Sequence, residues 1–559
     1  MADIAEGTSE LAERQPPSLR TVVAASAAGT TFEWYDFFVF GSLIQVISKT
    51  FFSGLPETAG YIAALALFGA GFAFRPLGAL VFGRIGDKAG RKGAFLITVV
   101  LMGGATFAIG LLPTYAQAGL IAPALLVLMR ILQGFALGGE YGGAAIYVAE
   151  HAPANARGRS TSWVQTSAAF GLFGALLVIL ISRLAVGRFF GPEAFDAWGW
   201  RIPFLFSAGL LAVSIWMRLK LSESPAFAKM KAEGAASKAP LKEAFGEWKN
   251  LKIVLLALCA IMAAQGAVWY TAFFYTQTFL EKFLKVDPAT INLLMMAATA
   301  VSAILYVVFG WLSDKVGRKK VMLFGMTLML VAYFPAFHLL TKAANPALAE
   351  AVARTPVVVI ADPAECSLQF DPVGRAAFTS SCDIAKATLA NAGVSYSNQA
   401  GPPGAPARVK VGETVIASTS AAGLPRDQAK PVKARVEAEI KAALAAAGYP
   451  AKADPERMNL PGVFAILLVF VVAATCLFGP LAAALVELFP TRIRYSAMSL
   501  PYHIGTGWIG GFVPFTAFAI VAATGDIYSG LWYPFAFTAL SVVTCFFLLP
   551  ETNGRSLDQ

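Results

Sequence analysis

Apolar runs of about 20 residues, each long enough to cross a hydrocarbon layer of roughly 30 Å as a helix, recur along almost the whole chain. A chain built this way cannot bury so many runs in one water-soluble core. Its composition agrees: of 559 residues, 57% are hydrophobic and 14% charged, against about 25% charged in an ordinary soluble domain. The runs predict twelve spans, at 21–47, 59–83, 94–113, 119–148, 161–186, 199–220, 252–280, 289–312, 320–341, 461–486, 495–523 and 528–549. The fold class expected is therefore an all-α membrane protein.

The net charge of +10 does not indicate nucleic acid, because most basic residues lie in short connections between apolar runs, where they orient helices. Connections after the even-numbered spans hold roughly twenty Lys and Arg and those on the other side about five, which predicts that both termini are cytoplasmic. The polar residues 1–20 read as a cytoplasmic tail, and the apolar stretch after them, lacking a small-residue cleavage site, as a retained first span. Three histidines, His151, His338 and His503, and five cysteines fall at no metal-ligand spacing, and there is no phosphate-cradling G-x-x-x-x-G-K-[ST] loop. No metal and no cofactor is expected, an enzyme is not expected, and transport work would draw on a gradient.

A repeat divides the chain. Gly83-Arg-Ile-Gly-Asp87-Lys88-Ala-Gly90-Arg91-Lys92, between spans 2 and 3, recurs between spans 8 and 9 as Gly310-Trp-Leu-Ser-Asp314-Lys315-Val-Gly317-Arg318-Lys319. Glu150-x-x-Pro153 followed by Arg157 is echoed by Glu487-x-x-Pro490 followed by Arg492, at an offset enlarged by one long polar insertion. Two homologous six-helix bundles follow: residues 21–220, and residues 252–342 with 459–549. A cytoplasmic linker (221–251), an extracytoplasmic insert (343–458) and a cytoplasmic tail (550–559) complete the expected organisation. Within the insert, strands are expected at 356–360, 394–396 and 408–417, and a helix at 433–447. Cys366 and Cys382 would form a disulfide in an oxidising compartment, or remain two buried thiols.

Charges inside spans mark function, since one at mid-bilayer costs about 2.5–3.5 kcal/mol even on a mild scale. Glu33 and Asp36 of span 1 lie within about 60° on one helical face. Two like charges so close favour uptake of a proton, which makes the pair a candidate for coupling; the alternative is static pairing with an arginine elsewhere. In span 4, Gln133 and Glu140 fall on one stripe with Arg130 nearby, and the intervening glycines read as helix-packing positions. Arg130 suits a substrate carboxylate. Arg75 of span 2 is a comparable candidate, or a counter-ion for Glu33 or Asp36. In the second half, Gln265 and Tyr270 of span 7 could line a cavity, and His503 of span 11 could shuttle protons or be a satisfied structural group. The repeated turns place Gly83, Asp87, Gly90 and Arg91, and Gly310, Asp314, Gly317 and Arg318, where each aspartate could meet a helix N-terminus and latch the cytoplasmic ends.

At these turns the chain resembles the major facilitator superfamily, whose G-x-x-x-D-[RK]-x-G-[RK]-[RK] signature matches Gly83, Asp87, Lys88, Gly90, Arg91 and Lys92. Glu33-Trp-Tyr-Asp36, Arg75-Pro-Leu-Gly78, Gln133-Gly134 through Glu140, Trp198-Gly-Trp-Arg-Ile-Pro203 and Glu223-Ser-Pro225 are similar to its metabolite:proton symporter family. Pro550-Glu-Thr-Asn-Gly554-Arg555 is similar to the ending of sugar porters in the wider superfamily. Members of the symporter family import proline, betaines, 2-oxoglutarate, citrate, shikimate and other small organic acids with protons across the bacterial inner membrane. The resemblance implies that Asp87 and its neighbours gate an alternating-access cycle and that Arg130 belongs to a motif linked with proton coupling. It leads to the expectation of a proton-coupled importer of a small organic acid or zwitterion, its partners being that metabolite, the proton and the lipid bilayer, acting as a monomer. Proton-driven export uses the same architecture, and a sensor whose insert binds a ligand would need a cytoplasmic output module.

Overall fold

The computed structural model describes residues 18–53, 67, 71–191, 193–219, 223–367 and 378–557. Most of residues 1–20 and the beginning of expected span 2 lie outside the described residues. Among the described residues, ten helices are long and apolar enough to cross a membrane. They fall at expected spans 3 to 12. Leu19–Ser42, which carries Glu33 and Asp36, is the helix at span 1, and Arg75–Ala89 lies at span 2. Their outer faces are apolar: Ile97, Phe170, Leu184, Ile304, Val331 and Phe547 all stand half or more exposed, as lipid contact requires.

Local chemistry sets the helix ends. Asp287 accepts from the amides of Ala289 and Thr290 ahead of Pro288, at the start of the eighth helix, Pro288–Val316. Asn459 does the same for Gly462 at the start of the tenth, Leu460–Leu488. Each satisfies orphan donors and is followed by a proline whose missing N–H is no loss there. The seventh span, Trp248–Phe283, is interrupted by three wide, π-type turns, at Leu258–Met262, Thr271–Tyr275 and Phe279–Phe283. The eleventh carries one at Ile504–Gly510. These two distorted helices pack backbone to backbone; a Cβ on Gly266 would stand 2.1 Å from the Gly505 carbonyl oxygen.

The first helix packs against the fifth span, Arg157–Phe190, and the third, Arg91–Leu111, against the fourth and sixth, Ile121–His151 and Arg201–Leu219. The second half repeats such packing, the ninth helix, Arg318–Ala344, lying against the tenth. The halves meet where the second helix packs on the eleventh, beginning at Arg494, and the fifth on the eighth and tenth.

Between the ninth and tenth helices a small α/β unit is inserted. Its sheet has the order β2-β1-β3-β4, with β1 Val357–Ala361, β2 Tyr396–Ala400, β3 Arg408–Val411 and β4 Thr414–Ala417. β1 runs parallel to β2 with Val357 opposite Tyr396, and antiparallel to β3 with Val357 opposite Val411. The expected 408–417 strand is a hairpin turned at Gly412, whose φ is 58°. The strand expected at 394–396 begins at Tyr396 instead, because helix Ser381–Ala392 ends on left-handed Gly393 and Val394 is needed to cover its end. The helix expected from 433 starts at Arg426 and continues through Pro431; the proline forbids only the bond to the turn before it. Cys366 and Cys382 are joined by a disulfide with Cα atoms 5.2 Å apart.

Candidate functional site

Three groups of buried polar residues are assembled from the spans. The first centres on Arg218, at the end of span 6, which is not among the residues singled out from the sequence. Its Nη2 donates to Glu33 Oε1 and to Glu140 Oε1, both at 2.7 Å. Its Nη1 donates to the Phe95 carbonyl at 3.1 Å, and the guanidinium stacks 3.5 Å from the Phe95 ring centre. Gly29 leaves the room: a Cβ there would stand 2.7 Å from Nη2. A signal existed in the sequence, because Ser207, Ser214 and Arg218 are spaced on one face of the sixth span and all are buried. Asp36, also buried, borders the same small cavity as Glu33, with Gly29, Met102, Ser207 and Ser214, and its Oδ1 has no hydrogen-bond partner. Among the described residues Arg75 pairs with neither carboxylate, and the arginine that reaches Glu33 is Arg218, so the counter-ion role considered for Arg75 passes to it for Glu33.

A second chain joins the fourth span to the third. Arg130 Nη1 donates to Gln133 Oε1 at 2.8 Å, and Gln133 Nε2 donates to Thr106 Oγ1 at 2.7 Å. The Arg130 guanidinium lies 4.0 Å from the centre of the Phe40 ring. Gln133 and Glu140, one stripe in the sequence, thus serve different arginines. The glycines between them pack: a Cβ on Gly134 would meet the Gly71 carbonyl oxygen at 2.1 Å, and one on Gly138 the Arg75 carbonyl oxygen at 2.2 Å.

The third group spans the boundary between the halves. Arg75 is 5% exposed, and its guanidinium stands 4.2 Å from the Phe72 ring centre and 5.6 Å from that of Phe37. From the second half it faces the hydroxyls of Tyr270 and Tyr502. Tyr502 stacks on Tyr141 of the first half, centroids 3.8 Å apart and nearly coplanar, and Gln165 holds the Tyr141 hydroxyl at 2.7 Å. His503 is buried beside Arg75 and faces the Gly138 backbone, but neither ring nitrogen meets a partner at full hydrogen-bond geometry. Gln265 is buried with both amide atoms unpartnered, and no contact ties it to Arg75.

At the end of the molecule bearing the repeated turns, the halves are pinned twice. Asp87 accepts from the amides of Tyr495 and Ser496 at 3.1 and 2.8 Å, at the start of the eleventh helix. Asp314 accepts from the amides of Gly158 and Arg159, both at 2.8 Å, at the start of the fifth. Each carboxylate meets the positive end of a helix from the opposite half. Arg91 and Arg318 each hold their own aspartate, at 2.5 and 2.6 Å. Glu150 pairs with Arg494 at 2.6 Å and Glu487 with Arg157 at 2.7 Å. The partner of Arg157 in the repeat is therefore Arg494, seven residues after Glu487 as Arg157 is after Glu150; Arg492 instead pairs with Glu243. Glu223 accepts from the amide of Arg91 at 3.0 Å, and Glu551 from that of Arg318 at 2.9 Å.

The repeated glycines are explained by the same contacts. Gly90 and Gly317 have φ of 121° and 108°, and a Cβ would stand 2.2 Å from Glu223 Oε2 and 2.3 Å from Glu551 Oε2. Gly83 and Gly310 allow close approach to Ser496 and Ser162, at 2.8 and 2.5 Å from a built Cβ.

Residues 21–243 and 441–559 match the family described as sugar (and other) transporter, and residues 144–361 match MFS/sugar transport protein. Over 335 residues the chain is 36% identical to a proline/betaine transporter of Salmonella typhimurium, spanning 58% of this chain and 65% of that one. It is 37% identical over 341 residues to a shikimate transporter of Escherichia coli, spanning 59% and 74%. The chain thus spans slightly under two thirds of the length of the proline/betaine transporter, 65%. Among solved structures, the major facilitator superfamily proton:xylose symporter XylE bound to 6-bromo-6-deoxy-D-glucose superposes with a TM-score of 0.62 at 16% identity, covering 97% of this chain and 98% of that one. At that identity the likeness is one of fold.

Proposed function

This chain belongs to the sugar (and other) transporter family of the major facilitator superfamily, a multi-pass membrane protein, and from that premise we propose that it is a proton-coupled symporter. It imports a small organic acid or zwitterionic metabolite across the inner membrane by alternating access, both termini facing the cytoplasm and one chain sufficing.

The observation that carries this reading is the buried Glu33–Arg218–Glu140 cluster. Two carboxylates share one guanidinium nitrogen at 2.7 Å, and Glu140 Oε2 has no partner. With both acids ionised the cluster holds one uncompensated negative charge in a medium that penalises it, and binding one proton removes that charge. Release and uptake of this proton, with Asp36 on the same cavity, is the coupling step. Asp87 and Asp314, with Arg91, Arg318 and the four motif glycines, act as the cytoplasmic gate, closed in this conformation because each aspartate caps a helix of the other half.

Purified protein in proteoliposomes tests the reading. Shikimate, L-proline, glycine betaine and 2-oxoglutarate are offered under an imposed pH gradient, acid outside. At least one is expected to accumulate, and Glu33→Gln to abolish accumulation while retaining exchange. Uptake of every substrate that proves indifferent to the gradient contradicts proton coupling, and accumulation only under the inverted gradient would make the protein an exporter.

A further inference from the structure

We propose that Arg75 holds a carboxylate of the transported molecule, in a site closed from the second half by Tyr270, Tyr502 and His503. The proposal rests on the symporter reading and adds to it the residue that selects the ligand.

Among the described residues, and apart from Asp87, Arg91, Glu150 and Arg157 at the gate, the spans of the first half bury three carboxylates, Glu33, Asp36 and Glu140, and three guanidinium groups, Arg75, Arg130 and Arg218. Their partners differ. Arg218 is committed to two of the acids. Arg130 is held by Gln133 within its own helix. Arg75 makes no ion pair, its Nε has no hydrogen-bond partner, and it stands at the boundary between the halves. A permanently charged group buried without an anion is costly unless something arrives to compensate it.

Its surroundings suit an incoming carboxylate. Phe72 and Phe37 flank the guanidinium and fix its plane, as a planar fork needs for two parallel hydrogen bonds to an anion. The facing groups, Tyr270, Tyr502 and His503, carry hydroxyl and ring nitrogen atoms, and neither nitrogen of His503 is held at full hydrogen-bond geometry within the protein. No carboxylate of the chain lies within ion-pair distance of Arg75 among the described residues, so no internal anion competes. The charge count points the same way: with His503 and the tyrosines Tyr141, Tyr270, Tyr495 and Tyr502 entering as neutral, the three acids balance the three arginines. One proton taken up by the acids then leaves one positive charge, and a bound monoanion restores neutrality. Because Arg75 touches helices of both halves, an anion there bridges them, and its presence favours the occluded arrangement over either open one.

The test is ligand-induced thermal stabilisation of the purified full chain. Shikimate, L-proline, glycine betaine and 2-oxoglutarate are each compared with their methyl esters, on the native protein and on Arg75→Gln and Arg75→Lys. Native protein is expected to be stabilised by at least one acid and by none of the esters. Arg75→Lys, which keeps the charge and loses the fork, is expected to weaken that binding at least tenfold, and Arg75→Gln to abolish it. Stabilisation by an ester equal to that by its acid, equal binding in Arg75→Lys, or no acid stabilising the native protein would each overturn the assignment. If Arg75→Gln does not fold, the acid–ester comparison and Arg75→Lys still decide. Failure here with pH-driven uptake intact removes only the role of Arg75; pH-indifferent uptake with acid-selective binding removes only the symporter reading.

Discussion

Arg218 is where the arrangement of single residues departs most from what their spacing suggested. An arginine in the last turn of an apolar helix reads as an orientation signal, and Lys220 two residues on reinforces that reading. The structure turns it inward to Glu33 and Glu140 because Gly29 leaves space and Phe95 offers both a carbonyl and a ring face. Glu33 and Asp36 were legible from the sequence as acids inside a span; that Arg218 answers Glu33 was not, since that depends on the approach of helices far apart in sequence. Arg218→Gln is expected to destabilise the protein by about 3–5 kcal/mol, the cost of leaving one side of a buried ion pair. The triple change Arg218→Gln with Glu33→Gln and Glu140→Gln should recover most of the loss in thermal melting; an Arg218→Gln protein that melts with the native one would contradict the pairing. Glycine supplies a second test. Gly90→Ala and Gly317→Ala are each expected to cost on the order of 1–3 kcal/mol, from positive φ and from displacing the capping glutamate. Gly93→Ala, with nothing within 4 Å of its Cβ, is expected to be neutral or slightly stabilising.

At the scale of elements, spans 3 to 12 were readable because lipid imposes one solution on an apolar run: a helix with every backbone group satisfied internally. The π-type turns of the seventh and eleventh spans were not, as they arise from packing between helices and leave no change in hydropathy. The insert was read in part. Val357–Ala361 stood out as a β-branched run, but helices Pro346–Arg354 and Ser381–Ala392, rich in Ala like much of the insert, offer no contrast with their surroundings. What spacing could not give is where the insert rests. The Tyr396 amide donates to the Gly525 carbonyl at 2.7 Å, Asn398 Nδ2 to that of Thr524 at 2.7 Å, and the Ala453 amide to that of Lys285 at 3.0 Å. These contacts fasten it to the ends of the seventh and eleventh spans remote from the repeated turns, on the two helices that carry Tyr270, Tyr502 and His503. It is therefore expected to move with the second half as one body. A disulfide engineered by Asn398→Cys with Thr524→Cys should leave uptake unchanged when oxidised; loss of uptake restored by reductant would mean that the insert must lift during the cycle.

For the molecule as a whole, duplication was the most legible property, since the two turn motifs share the same Gly, Asp, Lys, Gly, Arg and Lys at the same spacing. Coordinates add why both copies persist: Asp87 caps a helix of the second half and Asp314 one of the first, so each half latches the other at the same end. Asp87→Asn weakens one latch by about 1 kcal/mol, the scale of a charge at a helix N-terminus, and shifts the population toward opening at that end. The central claim, that the two halves part and close there as proton and ligand bind, is tested most directly by distance. Spin labels at Lys88→Cys and Lys315→Cys, both exposed, in a background lacking Cys259, Cys476 and Cys545, report the separation of the turns by pulsed electron paramagnetic resonance. Two populations are predicted, the longer one growing on Asp87→Asn and the ratio changing with pH and with a stabilising ligand. A single separation, unchanged by pH, ligand and Asp87→Asn in protein that transports, would contradict the account.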